Sequence, residues 1–252
     1  MALTNYSATS LMIDVDRRIR LLSAQDVARE VGDLPGSIHA VAYESVNTVT
    51  NAGAEAWRPD SGLVSAWVLG MYKPSPRTTV VLPFTPGPES SLGPIVNDKY
   101  FGKVPDDRLI IRNGVLFFRG DGQHRSKIGL PPTRAGSTLG SYDAAGRVLT
   151  LVRYTRPPGE QSYVNSMWEI QKEPYKGDVV NSYNDGPPAP GQPPLGPFFE
   201  LETSSPALNL APGARYTHVH RTFHLVGNEQ DLEPIARKAL NVGIDDLKSA
   251  FK

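Results

Sequence analysis

The segment Arg108–Gly122, with the sequence RLIIRNGVLFFRGDG, is the clearest indication of the fold. Two runs of β-branched, aliphatic and aromatic residues flank the dipeptide Asn113-Gly114. This dipeptide favours a type I′ turn, because both central residues of that turn require positive φ. The segment therefore predicts a β-hairpin with a two-residue turn.

Outward from this hairpin, short apolar runs alternate with glycine and proline, of which the chain has 23 each among 252 residues. Many short strands separated by turn residues are typical of an all-β antiparallel sandwich or barrel. We expect one such domain over residues 1–252. The predicted strands include SLMIDVDRRIRLL (10–22), a second hairpin LGSYDAAGRVLTLVRY (139–154), GPFFELETSS (196–205) and ARYTHVHRTFHLV (214–226).

Helices are expected only near the two ends of the sequence. Ser23 is a good N-cap for AQDVAREV (24–31), and Gly32 is a good stop. Residues 229–252 predict two short helices, broken around Gly243, which cap a sheet edge. The opening ALTNYSA already has the character of a strand, so we expect a fold whose first strands lie outside this sequence.

The composition limits the classes of partner and cofactor. Basic and acidic residues number 26 each, which gives no surplus of positive charge for nucleic acid. Cysteine is absent, so thiolate chemistry and cysteine-bound zinc are excluded. No apolar run reaches the roughly 18 residues of a membrane-spanning helix, and MALTNYSATS lacks the pattern of a signal peptide. We expect a soluble chain without a membrane or nucleic-acid partner; a homo-oligomer stays open.

Two long segments are poor in regular structure, FTPGPESSLGPIVNDKYFGKVPDD (84–107) and PYKGDVVNSYNDGPPAPGQPPLGP (174–197). Loops of this length in a compact domain are usually functional or disordered. The second segment offers side chains suited to a hydroxyl-rich ligand, although a Pro-rich surface loop would have the same composition. The predicted binding residues are Asn181, Tyr183, Asn184 and Asp185.

Three of the five histidines lie in one predicted strand, RYTHVHRTFHLVG (215–227). Side chains alternate between the faces of a strand, so His218, His220 and His224 share one face, and the mostly apolar opposite face should meet the core. We therefore expect the histidines to face a cleft. His218 and His220 are roughly 6.6 Å apart along the strand, which lets both bind one divalent metal ion.

A turn at Pro212-Gly213 would fold this strand back on FFELE (198–202). That pairing places Glu200 and Glu202 beside His224, while His218 and His220 lie nearer the turn. We predict that His224 pairs with one of these glutamates and does not join the centre shared by the other two histidines. The catalytic candidates are His220, His224, Glu200 and Glu202.

Other charged side chains are weaker candidates. The segment HRSKIG (124–129) places Arg125 and Lys127 where a cation could bind a carboxylate or a sugar hydroxyl. No phosphate-binding loop, Gly-x-Ser-x-Gly motif or dinucleotide fingerprint is present, so we expect no nucleotide cofactor.

Three stretches resemble a bacterial family labelled as a domain of unknown function: Glu44–Pro76, Met167–Pro188 and Leu195–Gly227. That family is similar to galactose-mutarotase-like proteins, which implies a supersandwich of large twisted antiparallel sheets and a carbohydrate ligand. Mutarotases use a histidine and a glutamate as acid and base. No mutarotase motif aligns residue by residue, so the resemblance does not imply that activity.

The sequence favours a carbohydrate-active hydrolase, lyase or epimerase that uses histidine and glutamate as acid and base, with assistance from a metal ion left open. Two alternatives remain. One is a non-catalytic carbohydrate-binding module, which needs aromatic loops but no acid–base pair. The other is a cupin-like oxidative metalloenzyme centred on His218 and His220.

Overall fold

The computed structural model describes all 252 residues and contains two antiparallel sheets. The large sheet has nine strands in the order β1-β2-β3-β13-β10-β9-β5-β7-β6. Its strands are β1 (Ala2–Thr4), β2 (Ser10–Leu21), β3 (His39–Asn51), β5 (Thr78–Pro83), β6 (Leu109–Arg112), β7 (Val115–Arg119), β9 (Thr138–Asp143), β10 (Val148–Tyr154) and β13 (Arg215–Val226).

The small sheet has four strands in the order β4-β12-β11-β8. They are β4 (Trp67–Tyr72), β8 (Ser126–Leu130), β11 (Val180–Asn184) and β12 (Phe199–Ser204). Every pairing in both sheets is antiparallel, which confirms the predicted all-β sandwich.

The two faces of the large sheet are covered differently. One face packs on the small sheet through a cluster that includes Phe118, Ile128 and Leu201. The other face packs on the helices through a second cluster, which includes Phe223 and Leu240. The helices are α1 (Ala24–Val31), the single turn α2 (Glu89–Leu92), α3 (Glu229–Leu240) and α4 (Ile244–Ser249); none of them is long and apolar enough to cross a membrane.

Local signals in the sequence predicted several elements correctly. Asn113 and Gly114 have φ of 53° and 75°, as the type I′ turn requires, and they join β6 to β7. The Asp143 carboxylate accepts hydrogen bonds from the backbone amides of Ala145 and Gly146, which stabilises the turn of the β9–β10 hairpin. Ser23 forms a capping box with Asp26 at the start of α1, and Gly32 ends that helix.

Three expectations about long-range structure were wrong. β12 and β13 do not form a hairpin, because the chain between them crosses from the small sheet to the large one. The segment 174–197 is not entirely a loop, since it contains β11. The C-terminal helices cover a sheet face rather than an edge, because their apolar side chains share one core cluster with residues of six strands of the large sheet.

Candidate active site

A pocket of about 210 Å³ opens on the side of the small sheet that faces away from the large sheet. We call this side of the small sheet the outer face, and the side that packs on the large sheet the inner face. Aromatic rings form most of the wall, and two charged side chains reach the floor. The lining consists of Trp67, Leu69, Met71, Tyr100, Phe101, Lys127, Ser166, Trp168, Tyr183, Leu195, Phe198 and Glu200.

Strand alternation in β12 divides its side chains between the two faces. Phe199 and Leu201 belong to the apolar cluster between the sheets, so they lie on the inner face. Glu200 and Glu202 therefore lie on the outer face. Their register partners in β11, Tyr183 and Asn181, share that face.

Glu202 is fully buried and forms an ion pair with Lys127. The Lys127 ammonium donates to Oε2 of Glu202 at 2.8 Å, and Nε1 of Trp67 donates to the same oxygen at 2.9 Å. The ammonium also lies 4.7 Å from the Trp67 ring and 5.0 Å from the Tyr100 ring. Oε1 of Glu202 is buried and has no partner in the protein. The pair thus sets a fixed charge arrangement beneath the pocket.

Glu200 lines the pocket beside this pair. Its burial, followed by the negative charge of Glu202, raises the pKa of Glu200 to about 8. Lys127 opposes the rise but does not cancel it. The raised pKa favours the neutral acid form of Glu200, which can donate a proton to a molecule in the pocket.

A second acidic group holds one wall in place. Tyr100 donates to Asp178 at 2.6 Å, and the side-chain amide of Asn181 donates to the Tyr100 hydroxyl at 2.9 Å. Burial raises the pKa of Asp178 to about 6, although the hydrogen bond from Tyr100 lowers it. A Cβ at position 129 would lie 2.1 Å from a carboxylate oxygen of Asp178, so only glycine leaves room for this group.

His218 and His220 lie on the other side of the small sheet, which contradicts the cleft predicted for them, whereas His224 lines a separate cavity beside Tyr72 and Thr150. Side chains of His218 and His220 are 0% and 3% exposed and lie between the two sheets. Nε2 of His218 and Nδ1 of His220 both hydrogen-bond the hydroxyl of Thr203 at 2.9 Å. Because a hydroxyl has one hydrogen, it donates to one imidazole and accepts from the other. Burial lowers the pKa of His218 to about 4 and that of His220 to about 3.

His224 is separate from this pair, as expected, but its predicted partner was wrong. Its Nδ1 hydrogen-bonds the hydroxyl of Thr150 at 3.0 Å, on the neighbouring strand β10. Neither glutamate reaches it, because Glu200 and Glu202 project from the outer face of the other sheet. The idea of one row of histidines and glutamates therefore fails.

The predicted metal ligands His218 and His220 converge on a protein hydroxyl instead. No group of three or more histidine, aspartate or glutamate side chains is arranged to hold a metal ion. A third ligand, which the metal hypothesis and the cupin-like alternative both require, is not provided by these residues.

The remaining predicted residues divide between the pocket and its support. Tyr183 and Lys127 line the pocket. Asn184 is fully buried; its side chain accepts a hydrogen bond from the Gly122 amide and donates one to the His124 carbonyl. Asp185 accepts a hydrogen bond from the Tyr183 hydroxyl at 2.7 Å. Arg125 stacks behind the wall, 4.2 Å from the centre of the Phe101 ring.

Sequence reasoning did not single out Tyr100 and Phe101. They come from the first long segment, 84–107, which we expected to be either functional or disordered. Trp168 comes from the loop between β10 and β11, and Trp67 from β4. A useful signal was available, because tryptophan and tyrosine in long loops around a buried charge pair are typical of a ligand pocket.

Comparison with known proteins gives a family and several distant structural matches, two of which follow. The Slr1438 protein from Synechocystis sp. PCC 6803 is 9% identical, with a TM-score of 0.42, over 90% of this chain and 73% of that chain. An Escherichia coli K12 protein named "Putative aldose 1-epimerase" is 12% identical, with a TM-score of 0.43, over 90% of this chain and 68% of that chain. No curated protein matches the sequence. The model described as "Family of unknown function (DUF6786)" matches residues 1–251, and the chain therefore belongs to that family.

Proposed function

We propose that this chain is a carbohydrate-active enzyme that binds a saccharide in the aromatic pocket and transfers a proton through Glu200. The observation that carries the proposal is a buried carboxyl group at the floor of an aromatic pocket, next to a buried Lys127–Glu202 ion pair. Histidine has no part in it, because His218 and His220 lie on the opposite face of the sheet.

The wall supports a sugar as the ligand. Aromatic side chains offer flat apolar surfaces for the C–H faces of a pyranose, and those with a polar group can also hydrogen-bond a hydroxyl. Trp67, Trp168 and Tyr183 are available for such contacts. Ser166 and Lys127 add a hydroxyl and a cation near the floor, where they can orient sugar hydroxyls.

The floor supports acid–base chemistry at a single centre. A neutral Glu200 can donate the proton of one carboxyl oxygen to a sugar oxygen while its other carboxyl oxygen accepts a proton from a neighbouring sugar hydroxyl, so the proton is returned to the carboxyl group. Glu202 is Glu200's neighbour on the same strand face rather than its opposite across the pocket. Hydrolysis usually needs two carboxyl groups on opposite sides of the scissile bond, so this arrangement argues against a hydrolase.

The decisive test is Glu200→Gln, which retains the shape of the side chain but cannot transfer a proton. Wild-type protein should be screened against simple sugars and glycosides for anomer exchange, unsaturated products and reducing-end release. Loss of general acid catalysis should lower turnover by about 10²–10⁴-fold, while the affinity measured by tryptophan fluorescence stays within a few fold.

Glu89→Gln is the matched control, because Glu89 is an exposed carboxylate in α2, away from the pocket. It should change neither turnover nor affinity. Equal turnover in wild type and Glu200→Gln would refute the proposed role of Glu200.

A non-catalytic saccharide-binding module is the second candidate. The large share of aromatic and aliphatic side chains in the wall favours it, since binding alone needs only such surfaces. Saccharide binding by wild type with no turnover on any substrate of the panel, together with unchanged affinity in Glu200→Gln, would decide for the module.

A further inference from the structure

The rim of the pocket differs chemically from its floor. Four of the side chains that line the pocket are large, apolar and exposed to solvent: Leu69 (39%), Met71 (61%), Trp168 (75%) and Leu195 (74%). The polar groups of the floor, Lys127 and Glu200, are each 5% exposed. The pocket therefore has a charged floor and an apolar mouth.

A free sugar does not match this division. Hydroxyl groups surround the ring of a pyranose, and aliphatic side chains such as Leu69 and Leu195 cannot hydrogen-bond them. Hydroxyls held against such a rim would lose water without a replacement partner, which costs binding free energy. The part of the ligand that lies at the mouth should therefore be apolar.

We propose, on the basis of the proposed function, that the natural ligand is a glycoside whose sugar carries an apolar alkyl or aryl group. The sugar lies on the floor against Glu200 and Lys127, and the apolar group lies between Met71, Leu69 and Leu195. The register of the small sheet fixes this order, because Met71 is the direct partner of Glu200 and Leu69 is the direct partner of Glu202.

This order also places the apolar group next to the proton donor. Met71 lies directly beside Glu200 on the adjacent strand, so the oxygen that joins the sugar to its apolar group would be the oxygen nearest to the acid. The carboxylic acid can hydrogen-bond this oxygen while the apolar group stays at the mouth.

The test compares methyl and hexyl glycosides of the same sugars, glucose, galactose and mannose in both anomers, with 1-hexanol as a third probe. Binding is measured by calorimetry below the micelle concentration. The best hexyl glycoside should bind at least about tenfold more tightly than its methyl counterpart, since burying about two methylene groups gives a factor of that size. It should also bind at least tenfold more tightly than hexanol.

Met71→Ser should reduce the preference for hexyl over methyl by about threefold or more, since about one methylene contact is lost. The ratio of the two affinities is the readout, because Met71 lines the pocket that both glycosides enter. Ile111→Ser is the matched control, because Ile111 is also an exposed apolar residue on an edge strand, far along the large sheet. It should leave both affinities unchanged.

The outcomes separate the two proposals. Equal affinity for methyl and hexyl glycosides overturns the apolar-group inference and leaves the saccharide function standing. Hexanol that binds as tightly as the best hexyl glycoside shows that the sugar is not recognised, and this result overturns the saccharide function itself. Absence of binding by every glycoside overturns both.

Discussion

The two faces of strand β12 carry polar side chains into opposite environments. On the outer face, Glu200 and Glu202 reach a pocket and a buried lysine. On the inner face, Thr203 bridges His218 and His220 between the sheets. Both sets are buried, and the pKa values of Glu200, His218 and His220 are shifted. Only the outer set has access to a ligand, so a perturbed pKa alone does not identify a functional site.

The difference lies in what surrounds each polar cluster. Both clusters leave buried atoms without a hydrogen-bond partner: Nδ1 of His218 and Nε2 of His220 on the inner face, and Oε1 of Glu202 on the outer face. They differ in access to a cavity, because Glu200 lines the pocket and the two histidines lie between the sheets. We therefore expect substitutions on the inner face to change stability alone, and those on the outer face to change both stability and function.

The largest effect is expected from breaking the ion pair of the outer face. Lys127→Met would leave the Glu202 carboxylate buried with Trp67 as its sole hydrogen-bond donor, which should cost about 3–5 kcal/mol of unfolding free energy. The double variant Lys127→Met/Glu202→Gln should recover most of this loss, because no uncompensated charge remains. Urea unfolding followed by circular dichroism measures both values.

The exposed pair Lys176–Glu173 is the control for this prediction, with side chains that are 75% and 62% exposed. Lys176→Met should cost less than about 1 kcal/mol. If Lys127→Met were equally mild, the Glu202 site would be better hydrated than its burial indicates, and the contrast between the two faces would weaken.

The second prediction concerns the dependence of stability on pH. The pKa of His220 is lowered in the folded state, so between pH 6.5 and about 4 the unfolded chain binds a proton that the folded chain does not. The contribution of neutral His220 to the free energy of unfolding is therefore fully present above pH 6.5. It is lost as the pH falls, by about 1.4 kcal/mol per pH unit. Asp178 and Glu200 act in the opposite direction, because their raised pKa values make the folded state bind more protons as the pH falls.

Because these contributions partly cancel in the wild type, the informative quantity is a difference between proteins. His220→Asn should reduce the loss of stability between pH 6 and pH 4.5 by about 2 kcal/mol relative to the wild type. The measurement is a series of urea unfolding curves across this range. If the free energy of unfolding had the same pH dependence in both proteins, His220 would be protonated in the folded state, contrary to its buried position.

The sequence predicted local structure well because the relevant signals act over a few residues. Asn113-Gly114 requires a type I′ turn wherever it lies in the fold, and Ser23 caps a helix through its own neighbours. The faces of β12 and β13 were assigned with the correct alternation. Their surroundings could not be predicted, because alternation does not tell which face meets another sheet.

The decisive error was the assumption that Pro212-Gly213 closes a hairpin between β12 and β13. A turn dipeptide indicates a change in direction, but not which strand the chain joins next. Here the chain moves to the other sheet, and β13 pairs with β3 and β10 instead. His218 and His220 therefore lie in an internal layer, and Glu200 and Glu202 lie on the outer face of the small sheet with Lys127 instead of beside His224.

The smallest effect, and the sharpest comparison within the inner layer, comes from the same substitution at two threonines. Thr203→Val removes a hydroxyl that serves two fully buried imidazoles, His218 and His220. Thr150→Val removes one that serves the half-buried His224. A buried group that loses its partner costs about 1–3 kcal/mol, whereas water can replace the lost partner of a half-buried group. We expect about 2 kcal/mol for Thr203→Val and less than about 1 kcal/mol for Thr150→Val.

The functional readout completes this comparison. Valine and threonine have nearly the same shape, so Thr203→Val should leave Glu200 and Glu202 in place on the outer face of β12. Affinity for the best glycoside should therefore change by less than about twofold, a difference below about 0.4 kcal/mol, despite the loss of stability. A large drop in affinity at constant fold would show that the two faces of β12 are coupled and that the histidine layer supports the pocket. Equal stability losses for the two variants would show that the environment of His224 is as closed to water as that of His218.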